Sequence, residues 1–139
     1  MTTIAFKNGT MAADSLVSGE WADSRPMQKV YRYGDMLVGV AGELSWITGF
    51  LSWLTTNDEL EEYPIGVGYA LVYRDKELIL FEGDSPNAFP VGHPYAIGSG
   101  ASFAMGAMKA GKGARAAVGI AIELDTASGG KIQYRSTKK

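Results

Sequence analysis

The sequence predicts an α+β fold built as a layered sandwich. Three observations carry this expectation. Strand-like segments come in groups, helical segments stand outside those groups, and short turns join neighbouring strands as hairpins. The predicted order is four strands, a helix, three strands, two helices and one strand, and such segregation favours stacked sheets covered by helices. The 139 residues fit one domain over 1–139, and a hydrophobic share of 46% supplies apolar material for a core.

Thr3 to Lys7 reads as a short strand, and Asn8-Gly9 is a strong hairpin signal, so Thr10 to Leu16 returns as the second strand. The first hairpin thus begins at residue 2, where chains ordinarily fray. Residues 17 to 27 hold Gly19, Pro26 and several polar groups and read as a loop. Lys29 to Tyr33 is the third strand, Gly34-Asp35 a turn, and Met36 to Ala41 a nearly all-apolar strand of the kind covered on both faces.

A helix follows Gly42. Trp46, Ile47, Phe50, Leu51, Trp53 and Leu54 recur at helical spacing and form one broad apolar face, which suits packing on a sheet. The acidic stretch Asn57 to Pro64 ends it. Val67 to Arg74 and Glu77 to Phe81 form a hairpin around Asp75-Lys76. Residues 83 to 94 carry three prolines and read as a loop, and Tyr95 to Ile97 is a short strand running into Gly98-Ser99-Gly100. Ala101 to Ala110 is a helix stopped by Gly111, and Ala114 to Leu124 is another. Thr126 to Gly130 is a turn, and Lys131 to Arg135 is the last strand.

Composition narrows the function. With 13 basic and 15 acidic residues the net charge is −2, so no global basic field invites nucleic acid. No segment has the length of a membrane helix, and the start lacks a signal-peptide pattern, so a cytoplasmic protein is expected. There are no cysteines, which removes disulfides, thiolate metal sites and a cysteine nucleophile. No metal or other cofactor is expected. His93, the single histidine, lies between Gly92 and Pro94 and reads as a surface loop residue.

Four features carry candidate chemistry. Loss of Met1 would leave Thr2 with a free α-amine beside its own hydroxyl. A hydroxyl is a poor nucleophile until a base takes its proton, and an α-amine of pKa roughly 7.7–8.0 is a suitable base near neutrality. By itself an initial Met-Thr pair is common. Asp14 is an acid at the end of an apolar strand, and Lys29 opens the next one. Together they form either a structural ion pair or a source of positive potential that lowers the amine pKa. The glycine turns at Gly42, at Gly98-Ser99-Gly100 and at Ser128-Gly129-Gly130 allow close backbone approach. An N–H at the head of the helix after Gly42 would suit an oxyanion.

In order and spacing these features resemble the proteasome β-type peptidases, including the bacterial HslV peptidase, which are N-terminal-nucleophile hydrolases. The resemblance runs through Thr2-Thr3-Ile4, Ala13-Asp14-Ser15, Lys29-Val30, Gly39-Val40-Ala41-Gly42, Ala96-Ile97-Gly98-Ser99-Gly100 and Asp125-Thr126-Ala127-Ser128-Gly129-Gly130. It implies a four-layer αββα sandwich. It also implies Thr2 as nucleophile, Asp14 as the acid holding the lysine, and Lys29 as that lysine. Gly42 would give the oxyanion N–H, Ser99 would contact the terminal amine, and Asp125 and Ser128 would support them. Assembly follows as homo-oligomeric rings around a chamber that receives peptide or unfolded polypeptide, with an ATP-dependent unfoldase as a partner to test for.

The chain departs from this pattern at Asn57 to Pro64, which stands where relatives carry a second long helix, and at Gly113, where relatives often have a serine cap. The shortening motivates an alternative, a structural or interaction protein of the same fold with little or no activity. A non-peptidase amide hydrolase acting on a small substrate is a third reading.

Overall fold

The computed structural model describes residues 2–16, 27–56, 63–85 and 88–137. Nine strands and three helices run through the described residues: β1 (Thr3–Lys7), β2 (Thr10–Ala13), β3 (Val30–Tyr33), β4 (Met36–Gly42), α1 (Leu44–Thr56), β5 (Gly68–Arg74), β6 (Glu77–Glu82), β7 (Ala88–Val91), β8 (Tyr95–Gly98), α2 (Ala101–Lys109), α3 (Ala114–Leu124) and β9 (Gln133–Ser136). They form two antiparallel sheets, a first of order β8-β1-β2-β9 and a second of order β3-β4-β5-β6-β7.

Side-chain alternation along the strands builds the layers. Ile4 and Phe6 of β1, Met11 and Ala13 of β2, Leu37 and Ala41 of β4, and Leu71 of β5 meet in one cluster between the sheets. The intervening residues face outward. Ala5 and Ala12 pack with Ala96 beneath Ala104, Ala117, Val118 and Ala121 of α2 and α3, and small residues on both sides let helix and sheet approach closely. Val38 and Val40 join Ala70, Val72 and Phe81 beneath Trp46, Ile47 and Phe50 of α1. The result is a four-layer αββα sandwich, and the stripe on α1 is packing surface.

Most boundaries expected from the sequence stand within a few residues. The Asn8-Gly9 turn adopts positive φ at both residues, 50° and 76°, as a two-residue hairpin of this type requires. At the end of α2, Gly111 N–H bonds Met108 O and Lys112 N–H bonds Ala107 O, with Gly111 at φ 103°, a Schellman close.

The loop expected over residues 83 to 94 is a correction. Ala88–Val91 is a strand, with Leu78 opposite Val91 and Phe81 opposite Ala88. It holds Pro90 because β7 is the edge of its sheet, where a residue without an N–H is tolerated. The second strand is also shorter than expected. It stops at Ala13 because the Ser15 and Leu16 N–H groups turn to Gly129 O. Met1, all but the last residue of the loop expected over residues 17 to 27, most of the Asn57 to Pro64 stretch, and Lys138-Lys139 lie outside the described residues. Among the described residues, no helix is long and apolar enough to cross a membrane.

Candidate active site

β1 and β2 are hydrogen-bonded neighbours, so Thr2, just before β1, and Asp14, just after β2, come out at the same end of the first sheet. Lys29 precedes β3 at the matching end of the second sheet. All three side chains are buried, with Thr2 5%, Asp14 0% and Lys29 2% exposed, a burial that a lysine tolerates only when its ammonium is fully partnered.

It is fully partnered. Lys29 Nζ donates to Thr2 Oγ1 at 2.9 Å, to Asp14 Oδ1 at 3.0 Å and to the Leu16 carbonyl oxygen at 2.8 Å, which uses its three protons. Asp14 Oδ1 also accepts the Thr3 N–H at 3.0 Å, and Oδ2 accepts the Gly129 N–H at 3.0 Å. Burial lowers the Lys29 pKa below its ordinary 10.5, and the Asp14 carboxylate opposes that shift by charge and by hydrogen bond.

A second cluster lies beside the first. Ser99 Oγ donates to Asp125 Oδ2 at 2.6 Å, and Ser128 Oγ donates to the same oxygen at 2.7 Å. The hydroxyls of Ser128 and then Ser99 hold the Asp125 carboxyl below the usual carboxylate range. Thr3 Oγ1 lies 2.7 Å from Ser128 Oγ. Ser128 gives its one proton to Asp125, so Thr3 is the donor in that contact, and a directed chain runs from Thr3 through Ser128 to Asp125. The clusters are tied by Thr3, which bonds both, and by Gly129, which follows Ser128 and bonds Asp14.

The structure therefore brings six of the seven expected residues into two linked clusters. Ser99 is turned to Asp125. Gly42, the seventh, closes β4 just before α1. Among the described residues it makes no hydrogen bond to the other six. Its φ is 126°, and a Cβ there would meet Val67 O at 2.5 Å, so only glycine fits. Gly98 is still tighter. With φ 101°, a Cβ would stand 1.7 Å from the Thr2 carbonyl oxygen and 3.3 Å from the Tyr69 hydroxyl.

Gln133 was not expected. Its carboxamide oxygen accepts the N–H of Lys29 at 2.7 Å and of Val30 at 3.0 Å, and its NH₂ donates to Asp14 O at 3.2 Å and Met27 O at 2.8 Å. One side chain on β9 thus ties the backbones of Asp14 and Lys29 together across the two sheets. A glutamine in a short terminal strand carries no local signal of this. Among the described residues, no group of three or more His, Cys, Asp or Glu side chains offers a metal site. His93 is on the surface, edge-on to Phe6 at 5.6 Å.

No protein-family model matches the sequence, and no curated protein is significantly similar to it. Solved structures are similar in fold. Thiobacillus denitrificans BPH in complex with epoxomicin aligns at 19% identity and TM-score 0.64, covering 99% of each chain. A second structure of T. denitrificans BPH aligns at 19% identity and TM-score 0.64 over 96% of this chain and 95% of that one. Eukaryotic HslV from Trypanosoma brucei aligns at 21% identity and TM-score 0.68, over 97% of this chain and 98% of that chain. The superposition spans nearly the whole of each chain, and with its two antiparallel sheets and three helices the chain has the proteasome-type N-terminal-nucleophile hydrolase fold, shared with HslV.

Proposed function

We propose that this chain is a threonine-type endopeptidase, acting through Thr2 once Met1 is removed. The carrying observation is the 2.9 Å contact from the Lys29 ammonium to Thr2 Oγ1, with Asp14 bracing the same ammonium. The freed α-amine takes the Thr2 hydroxyl proton, and Oγ1 attacks the peptide carbonyl carbon. The carbonyl π pair moves to oxygen, which the Gly42 N–H stabilises. Collapse of this intermediate expels the amine product, which receives the proton from the α-amine. Water then adds to the ester by the same proton route and frees Thr2. The Lys29 charge lowers the amine pKa, so the amine is neutral and basic at working pH. Ser99, Asp125 and Ser128 hold the segment that faces the amine.

The same reading makes 1–139 one domain and one subunit of a cytoplasmic homo-oligomeric ring that admits peptide or unfolded polypeptide, with an ATP-dependent unfoldase as its feeding partner. The epoxomicin complex of T. denitrificans BPH supports the choice of probe. The test is mass spectrometry of the purified chain with and without a peptide epoxyketone. The expected result is loss of Met1 and a covalent adduct on Thr2. A chain that keeps Met1 and takes no adduct refutes the enzymatic reading and favours a structural role on this fold. Peptide cleavage by a Thr2→Ala protein at the parent rate refutes it as well.

A further inference from the structure

We propose that the cavity beside Thr2 is a subsite for a cationic side chain of the substrate, lysine or arginine, held by Glu82 and Asp84. The inference rests on the peptidase reading and names its substrate class. The cavity has a volume of about 530 Å³, within the roughly 300–1,000 Å³ of ordinary ligand sites. It reaches Gly98, whose backbone packs against the Thr2 main-chain carbonyl, so its inner end adjoins the backbone of the residue that carries the proposed nucleophile.

Glu82 is out of place for a merely structural residue. Leu78 and Leu80, four and two residues before it on β6, belong to the cluster between the sheets, and strand alternation puts Glu82 in the same row. Its partner across β5 is Tyr69, which packs on that cluster too. A leucine would continue the apolar row. The sequence places a carboxylate there, and Asp84 adds a second to the same cavity. Among the described residues neither carboxylate is in an ion pair, and the cavity lining contains no lysine, arginine or histidine. Two unpaired negative charges in one lining set a potential that draws a cation.

The walls match the rest of such a side chain. Tyr69, Tyr95, Leu80 and Ile97 offer apolar and aromatic surface. A lysine or arginine lays its methylene stem along apolar surface while its head stays polar, and aromatic faces attract cations.

The experiment compares two blocked pentapeptides that differ only in a central lysine or norleucine, which have similar shape and different charge. Binding is measured by calorimetry on the full chain carrying Thr2→Ala, where no cleavage intervenes. The lysine peptide is expected to bind about fivefold tighter, the scale of a partly screened ion pair, with the difference shrinking as salt is raised. Glu82→Gln with Asp84→Asn should abolish the difference and leave norleucine-peptide binding unchanged. Glu82→Lys should turn the preference toward a glutamate-centred peptide. Equal binding of the lysine and norleucine peptides to the Thr2→Ala chain overturns the proposal, and so does a lysine preference that survives the double substitution. Epoxyketone labelling of otherwise wild-type protein separates the two levels. Absence of a Thr2 adduct defeats the peptidase reading, whereas an adduct with no lysine preference defeats only the subsite.

Discussion

Lys29 donates to the Thr2 hydroxyl oxygen at 2.9 Å while Asp14 holds the same ammonium at 3.0 Å, and all three side chains are buried. A lysine so placed has no spare proton and little solvent. Its charge is available to whatever approaches Thr2, and removing either partner strands the other.

Lys29→Met therefore leaves the Asp14 carboxylate uncompensated in the interior. It is expected to destabilise the fold by about 3–5 kcal/mol, the usual cost of breaking a buried pair from one side, and to abolish Thr2 labelling. Adding Asp14→Asn should recover much of the stability and none of the labelling. Urea unfolding and adduct mass spectrometry read the two separately, and joint recovery would contradict the proposed role of the lysine.

The pH profile of cleavage should be bell-shaped, because the mechanism needs a neutral amine on Thr2 and a charged Lys29. Burial lowers Lys29, so the alkaline limb should lie below 10.5. Asp14→Asn removes the influence that raises Lys29 and should move that limb to lower pH in any residual activity. Stability follows the same titration. Between the lowered Lys29 value and 10.5 the unfolded chain binds more protons at this residue than the folded one, so its contribution to stability increases with pH across that window. Measurements of kcat/KM and urea midpoints against pH check both, and a limb unmoved by Asp14→Asn would assign it to another group.

Thr3→Val keeps the shape of the side chain and removes the proton that Thr3 donates to Ser128. Ser128 keeps its bond to Asp125 and loses only the one it accepts, so we expect a loss of about 0.5–1.5 kcal/mol, the net worth of one hydrogen bond, while Thr3→Ser should stay close to the parent. Equal stability of the valine and serine variants in thermal unfolding would show that the hydroxyl chain carries no energy.

Gln133→Leu removes four hydrogen bonds at once and leaves partly buried backbone groups of Asp14, Met27, Lys29 and Val30 without that partner. A destabilisation of about 2–4 kcal/mol is expected, together with slower epoxyketone labelling of the variant while folded. A folded variant that labels at the parent rate would confine Gln133 to stability.

Gly98→Ala combines a left-handed backbone with an overlap against the Thr2 carbonyl oxygen. Relief requires moving β8 away from β1 or shifting Thr2 itself. Labelling should fall more than tenfold even if the chain stays folded, consistent with the sensitivity of proximity-driven chemistry to displacements near 1 Å. Parent-rate labelling would show that Thr2 tolerates displacement.

Local signals read well wherever a few neighbouring residues decide the outcome. The Asn8-Gly9 turn, the apolar face of α1, the span of α3 and the Gly111 stop were all legible, because turn chemistry and periodicity act over short stretches. The grouping of Thr2, Asp14 and Lys29 was legible only through the resemblance, since no spacing rule links residues that far apart. The β7 strand was missed because Pro90, with a proline to either side of it in the sequence, argues for a loop until it is known to lie on a sheet edge.

By itself the sequence determined the inventory: a layered α+β chain, a threonine that loss of Met1 would expose, an acid, a lysine and glycine turns in a telling order. Tertiary structure alone decided that the ammonium of Lys29 meets both partners, that Gln133 stitches the two sheets, and that Glu82 and Tyr69 line one cavity. The physical reason is distance along the chain. Gln133 and Asp14 are separated by 119 positions, and only the stacking of the two sheets brings such residues to hydrogen-bonding range.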